Sequence, residues 1–82
     1  MTVGDKIKAA RKEAGMTQAE LAKLLGIAGP TLAQWETNVR NPKLRTLAQL
    51  AAGLNCSIFY LMDDEDIQAI MDGLRIMFES RR

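Results

Sequence analysis

The chain has 82 residues, of which 48% are hydrophobic, and its formal net charge is +1. This length allows one small domain, the apolar fraction excludes a wholly disordered chain, and no apolar run approaches the ~20 residues of a membrane span. The chain has no histidine and a single cysteine, Cys56. An internal disulfide, a Cys/His zinc site and imidazole catalysis are therefore excluded. We expect a non-enzymatic protein without metal or cofactor, with no secretory signal or membrane partner, in the reducing cytoplasm.

The first two predicted helices have clear start and stop signals. Thr2 and Asp5 form a Thr-x-x-Asp start, and Thr17 and Glu20 form a capping box, in which each side chain satisfies a free backbone N–H group. Glycine ends both helices, at Gly15 and Gly26. One face of each helix is apolar, comprising Val3, Ile7, Ala10 and Ala14 in the first and Leu21, Ala22, Leu24 and Leu25 in the second.

Three further short helices are predicted before residue 62. Gly29-Pro30 fits a helix start, because proline at the first helical position loses no hydrogen bond, and Asn38 is a suitable left-handed terminator. The fourth helix follows the Asn41-Pro42 turn and ends at Asn55; its apolar positions are Leu44, Leu47, Leu50, Ala51 and Leu54. Ser57 can cap a fifth turn containing Ile58, Phe59 and Leu61. Since no segment alternates with period two, the fold class is all-α.

The last twenty residues differ from the rest. An acidic cluster, residues 63–66, precedes a helical stripe of Ile67, Ile70, Met71, Leu74, Met77 and Phe78. The acids suit the start of a helix dipole, as Arg81-Arg82 suit its end, and a charged interaction tail is the alternative. The stripe predicts either a dimer contact or a helix that packs on its own domain.

Two helices joined by Leu25–Ala28 form a helix-turn-helix pattern. Ala22 is small enough for the helices to cross, and Gly26, four residues later, tolerates the turn. Leu32 and Trp35 anchor the second helix and leave its other side exposed. We interpret Trp35 as a core residue rather than a stacking platform.

These features resemble the Cro/CI-type (Xre-like) helix-turn-helix domains of phage repressors and bacterial regulators. The resemblance covers roughly Val3 to Met62. The segments that match the family pattern are residues 7–11, 15–22, 25–27, 32–36, 40–42 and 47–54. It implies a compact five-helix, lambda-repressor-like DNA-binding domain, residues 1–62, followed by a C-terminal amphipathic helix, residues 63–82, as a dimerisation element. In this family the third helix enters the DNA major groove.

The resemblance also implies site residues. Base readout falls to Gly29, Pro30, Thr31, Ala33 and Gln34, of which Thr31 and Gln34 can hydrogen-bond a base edge. A bidentate Gln–adenine pair is worth roughly 1–3 kcal/mol of discrimination. The expected phosphate contacts are Thr17, Gln18, Asn38, Arg40 and Lys43. Gln18 is alternatively a plain surface residue, and the cations near Pro42, including Arg45, are alternatively solvated charge.

Several positions depart from the family pattern. Ala28 and Lys43 stand where capping serine or threonine is common, and Asn38 and Asn55 where glycine is common. Lys43 near a helix start is unfavourable unless an external phosphate binds both the lysine and the free N–H groups. Arg11 and Glu36 match a family pair that ties the first helix to the end of the third, so we interpret them as structural.

The expected function is a sequence-specific double-stranded DNA-binding transcriptional regulator, more specifically a repressor, that binds an inverted repeat as a homodimer. The alternative is an antitoxin or adaptor whose C-terminal helix binds another protein. The distribution of charge along the chain agrees with the DNA-binding hypothesis. Residues 1–61 contain eight basic and four acidic residues, whereas residues 62–82 contain three basic and six acidic residues. A basic DNA-binding domain is thus followed by an acidic C-terminal segment.

Overall fold

The computed structural model describes residues 1–80 as six α-helices without a strand among those residues. The helices are α1 (Val3–Glu13), α2 (Gln18–Leu25), α3 (Gly29–Glu36), α4 (Leu44–Leu54), α5 (Ile58–Leu61) and α6 (Asp64–Glu79). The all-α prediction is confirmed. Arg81-Arg82, which we expected at the end of the last helix, lie outside the described residues.

The core forms where the first five helices meet. Each of them contributes one side chain that is 0% exposed, namely Ile7, Leu21, Leu32, Leu50 and Leu61. Ala10, Ala22, Leu47, Ala51, Leu54 and Met62 complete the cluster. Three expected core positions are wrong: Ala14 is exposed, and Leu24 and Leu44 are more than half exposed. Trp35 packs against the cluster but is only partly buried.

The local start and stop signals act as predicted. Thr2 and Thr17 each form a complete capping box, and Ser57 and Asp63 accept backbone N–H bonds at the starts of α5 and α6. The expected left-handed residues adopt positive φ angles: Gly15, Gly26, Asn38 and Asn55. Only α3 and α4 start without a side-chain cap, at Ala28 and Lys43. Pro30 is the second rather than the first residue of α3.

The start of α1 lies tightly against the end of α3. The N–H of Gly4 donates to Oδ1 of Asn38 at 3.1 Å, so the left-handed residue after α3 also holds α1. A Cβ at Gly4 would overlap the carbonyl oxygen of Trp35 and would lie 2.7 Å from that of Glu36. Only glycine permits this approach of the two backbones. The contact fixes the end of α3 from which the following loop departs.

Helix α6 extends away from the five-helix cluster, and the described chain measures 50 × 23 × 20 Å. It contains no buried residue, and Ile67 is its only residue that packs against the core. The remaining stripe residues are exposed, from 38% for Ile70 to 71% for Phe78. The alternative that this helix packs back on its own domain is therefore wrong beyond Ile67.

Candidate nucleic-acid interface

The helix-turn-helix unit consists of α2, a short turn and α3. Gly26 ends α2 with φ +68°, and Ala22 is buried at the helix crossing. Leu32 anchors α3 in the core. This arrangement leaves the opposite side of α3 without a cover from the rest of the described chain.

The five residues assigned to base readout lie on that side of α3. Gly29 and Pro30 are exposed, whereas Thr31, Ala33 and Gln34 are half-buried. Within residues 1–80, neither the Thr31 hydroxyl nor the Gln34 side-chain amide makes a hydrogen bond. The Gln34 main-chain carbonyl accepts the N–H groups of Val39 and Arg40, at 2.9 and 3.2 Å. The backbone of Gln34 is thus fixed while its side chain is available to an external partner.

An open hollow lies beside α3, between that helix and the start of α4. Its lining residues are Thr31, Trp35, Arg40, Asn41, Pro42, Lys43 and Thr46. Lys43 is the N-cap of α4 and makes no side-chain cap bond, so the first N–H groups of α4 lack a side-chain partner. No carboxylate of the described residues lies within 4.0 Å of the cationic groups of Arg40 and Lys43. Two cations and the positive end of a helix dipole therefore meet at this hollow, which suits an anion.

The other expected phosphate contacts are engaged within the protein. Thr17 Oγ1 accepts the N–H of Glu20 at 3.1 Å, and the Gln18 side-chain amide donates to Glu36 at 3.1 Å. Asn38 holds Gly4, as described above. Each retains polar atoms beyond these bonds, since a hydroxyl still has its hydrogen and an amide its second group. Their contacts with DNA phosphate stay predictions. Of the five residues expected to contact phosphate, Arg40 and Lys43 line the hollow.

The expected pair of Arg11 and Glu36 is confirmed as a buried ion pair. Arg11 Nε donates to Glu36 Oε2 at 2.8 Å and Nη2 donates to Oε1 at 3.1 Å, while Nη1 donates to the carbonyl of Met16 at 2.8 Å. The exposed fractions of Arg11 and Glu36 are 7% and 5%. With the Gln18 bond to the same carboxylate, the network joins α1, the start of α2 and the end of α3. It fixes the position of α3 relative to α1 and α2.

The three residues with shifted pKa values, Asp5, Glu20 and Cys56, lie outside the hollow beside α3. The backbone N–H groups of Thr2 and Thr17 lower the pKa of Asp5 and Glu20, respectively, because they stabilise the ionised carboxylates. Burial raises the pKa of the Cys56 thiol, which makes the reactive thiolate scarcer. Among residues 1–80 no group of three or more His, Cys, Asp or Glu side chains is placed to hold a metal ion, and no helix there has the length and apolarity to cross a membrane.

The structure also adds residues that sequence reasoning missed. Asn41 and Thr46 line the hollow. Thr46 lies three residues after Lys43, on the same side of the first turn of α4, and this spacing was the available signal. On α6, Ile76 is 62% exposed and lies outside the predicted stripe. The apolar surface of α6 is therefore wider than the six stripe residues.

Comparison with known proteins places this geometry in a family. The helix-turn-helix family model matches residues 7–61. The transcriptional regulator ImmR of Bacillus subtilis is 36% identical over 67 residues, 82% of this chain and 53% of ImmR. Repressor protein C2 of Salmonella phage P22 is 35% identical over 60 residues, 73% of this chain and 28% of the repressor. The chain thus spans about half or less of the length of these relatives.

Solved structures give the same result. SinR, a regulator of biofilm formation crystallised in complex with DNA, matches with a TM-score of 0.71 and 36% identity, covering 76% of this chain and all of that one. SinR in its complex with SinI matches with a TM-score of 0.68 and 31% identity, covering 89% and 79%. These relatives are regulators and repressors rather than enzymes. On the family match and the shared fold, the chain belongs to the helix-turn-helix family of Cro/CI (Xre-like) type.

Proposed function

We propose that this chain is a sequence-specific double-stranded DNA-binding transcriptional regulator, acting as a repressor, with α3 in the major groove. One observation carries the proposal. The unbonded side chains of Thr31 and Gln34 lie on α3 beside a hollow that contains Arg40, Lys43 and the uncapped start of α4. Side chains that can hydrogen-bond base edges thus lie next to a site that suits a phosphate group. Recognition of one DNA half-site needs both features.

The phosphate contacts would fix the register of α3. A phosphate in the hollow would receive the free N–H groups of α4 and the charges of Arg40 and Lys43. Thr17, Gln18 and Asn38 are proposed to contribute from the start of α2 and the end of α3. Gln34 would then read adenine through its amide, with Gly29, Pro30 and Ala33 against the groove floor, where Pro30 and Ala33 meet thymine methyl groups.

Two such domains are needed because one reads few bases. Only two of the five readout residues carry hydrogen-bonding side chains, so we propose that a homodimer reads an inverted repeat with half-site centres ~34–36 Å apart. Residues 1–62 form the DNA-binding unit and residues 63–82 the assembly unit. The exposed apolar residues of α6 support this division: Ile70, Met71, Leu74, Met77 and Phe78, with Ile67 at the junction.

Selection of bound duplexes from a random pool tests the DNA proposal. The expected result is an inverted-repeat consensus. Gln34→Ala should then lose preference at one or two positions of each half-site, while Glu13→Ala, a change at an exposed α1 residue outside the interface, should keep the wild-type consensus. Recovery of no consensus from the pool would exclude sequence-specific binding.

The dimer is tested separately by sedimentation. Ile70→Asp with Leu74→Asp should give a monomer with weakened operator binding, since both introduce charge on the exposed apolar side of α6. Gln68→Asp introduces one such charge at an exposed polar position and should leave the dimer intact. A wild-type chain that is monomeric at micromolar concentration and on DNA contradicts the homodimer.

A second candidate is an antitoxin or adaptor whose α6 binds a different protein. The width of the exposed apolar surface of α6, including Ile76, favours it, and SinR has been crystallised with the protein SinI. Methionines such as Met71 and Met77 adapt to varied surfaces. Under this proposal the Ile70→Asp, Leu74→Asp chain loses a heterologous partner, and its sedimentation and DNA affinity stay as in the wild type.

A further inference from the structure

Two residues, Met62 and Asp63, connect α5 to α6. Met62 is 2% exposed and belongs to the core cluster, and its N–H donates to the carbonyl of Ile58 at 3.0 Å. Asp63 caps α6: its side chain accepts the N–H of Asp66 at 2.8 Å, and its carbonyl accepts the N–H of Ile67 at 3.1 Å. Both connecting residues are therefore engaged in the fold, which leaves the connection little freedom of its own.

The apolar contacts of this connection form a hydrophobic staple. Met62 precedes the Asp63 cap, Ile67 is the fourth residue of α6, and both pack on the core. Residues in these two positions fix the angle at which the chain enters a helix. Apolar contact has no preferred direction, however, and Ile67 is the only residue of α6 that packs on the core. The staple alone therefore leaves α6 free to swing about its first turn.

A directional contact at the same connection comes from α1. Nζ of Lys6 donates to the carbonyl of Met62 at 2.9 Å, across 56 residues of sequence. No carboxylate of residues 1–80 lies within 4.0 Å of this ammonium group, so the bond is not a by-product of an ion pair. Hydrogen bonds from charged donors are about twice as strong as neutral ones, and they weaken steeply when misaligned. We infer that Lys6 is a positioning residue that sets the direction of α6 relative to α1–α5.

The helix that carries Lys6 also holds the recognition helix. The N–H of Gly4 donates to Asn38 directly after α3, and Arg11 donates to Glu36 at the end of α3. These two positions lie about 10 Å apart along α1, and Lys6 lies between them. One short helix thus holds both the end of α3 and the start of α6. The exposed apolar side of α6 consequently keeps a fixed orientation relative to α3, whichever molecule binds it and whether or not DNA is bound.

The test measures one-bond N–H residual dipolar couplings of the full chain in a dilute liquid-crystalline medium. In the wild type, the couplings of α1–α5 and of α6 should fit a single alignment tensor. Lys6→Met keeps a side chain of similar length without the donor. In this variant the couplings of α6 should shrink and require a separate, smaller tensor, while those of α1–α5 still fit together.

Two control variants separate the bond from other effects of the change. Lys8→Met removes a cation from an exposed position of the same helix and should keep the single tensor. Lys6→Arg retains a charged donor that can reach the Met62 carbonyl, and it should keep the single tensor as well. Both parts are compared within one chain, so the result does not depend on whether two copies associate.

Three results would overturn the inference. A single tensor in Lys6→Met would mean that the staple alone directs α6. Two tensors already in the wild type would mean that α6 has no fixed direction. Loss of the wild-type amide chemical shifts throughout α1–α5 in Lys6→Met would mean that Lys6 is needed for folding rather than for the direction of α6.

Discussion

Replacing Arg11 by methionine should destabilise the fold by about 3–5 kcal/mol, the range for removing one partner of a buried ion pair. In the structure Arg11 donates three hydrogen bonds, two of them to Glu36. Without the guanidinium, the carboxylate of Glu36, a residue only 5% exposed, keeps only the bond from Gln18. A domain of this size has a total stability of roughly 4–12 kcal/mol, so the change removes about a quarter of it or more.

The assay is thermal and urea unfolding followed by far-ultraviolet circular dichroism. Each kcal/mol corresponds to about 4–8 °C for a domain of this size, so the midpoint should fall by at least about 12 °C. Lys12→Met also replaces a cation by methionine, at the exposed neighbouring residue, and should stay within about 0.5 kcal/mol of the wild type. The double variant Arg11→Met, Glu36→Leu removes both charges and should recover much of the loss.

Two results would refute the reasoning. If Arg11→Met costs less than about 1 kcal/mol, the carboxylate finds water or relaxes, and burial does not set the magnitude. If the double variant is as unstable as the single one, the loss arises from packing of the arginine side chain or from the Met16 carbonyl rather than from an unpaired charge.

Three further predictions follow from local geometry. Gly4→Ala should lower the unfolding free energy by about 1–3 kcal/mol in urea titration, because its Cβ meets the Trp35 carbonyl oxygen, which is backbone; a neutral effect would contradict the close approach. Glu20→Gln should flatten the acid limb of stability against pH: Thr17 lowers the folded pKa from its usual 4.5, so the carboxylate's contribution is full above that value and is lost as pH falls through the lowered pKa. An unchanged acid limb would contradict this assignment. Lys43→Ala should weaken binding to all duplexes alike and reduce the slope of log affinity against log salt by about one, and an unchanged slope would exclude its phosphate contact.

The sequence predicted the features that depend on a few neighbouring residues. The Thr17 capping box, the positive φ of Gly26 and the left-handed Asn38 and Asn55 are each determined within one helical turn. Their physical causes, a free N–H group or a permitted dihedral angle, are local. For this reason the order of the helices and the position of the helix-turn-helix turn were both correct.

Features that depend on distant partners were less accessible. The apolar pattern cannot show that Leu24 and Leu44 lie beyond the reach of the core, since burial depends on how neighbouring helices are arranged. Gln18 bonds Glu36, 18 residues away, and Lys6 bonds the carbonyl of Met62, 56 residues away. Lys6 and Arg11 are therefore structural cations, because their side chains are engaged by partners within the fold.

For the candidate site the sequence proposes residues, and the structure supplies the shape of the surface on which they lie. The resemblance placed Gln34, Arg40 and Lys43 near DNA, and the structure brings the latter two to one hollow. The inclusion of Thr46 and Asn41 depends on how the loop after α3 meets α4, which the sequence does not specify. Whether these residues contact DNA is decided by the selection and salt experiments.

The uncapped starts of α3 and α4 imply a compromise between the stability of the free protein and its affinity for DNA. A capping side chain is worth about 0.5–2 kcal/mol, and Ala28 and Lys43 supply none. In the free chain the first N–H groups of these helices have no capping side chain, so these helix ends are the points where fraying costs least. A bound phosphate would accept hydrogen bonds from the free N–H groups of the helix that it touches. The DNA duplex would therefore stabilise the folded state of the surface that binds it. A more stable variant with serine at the α4 cap would therefore be a poorer receptor, because the serine would fill from within the position that the DNA backbone is proposed to occupy.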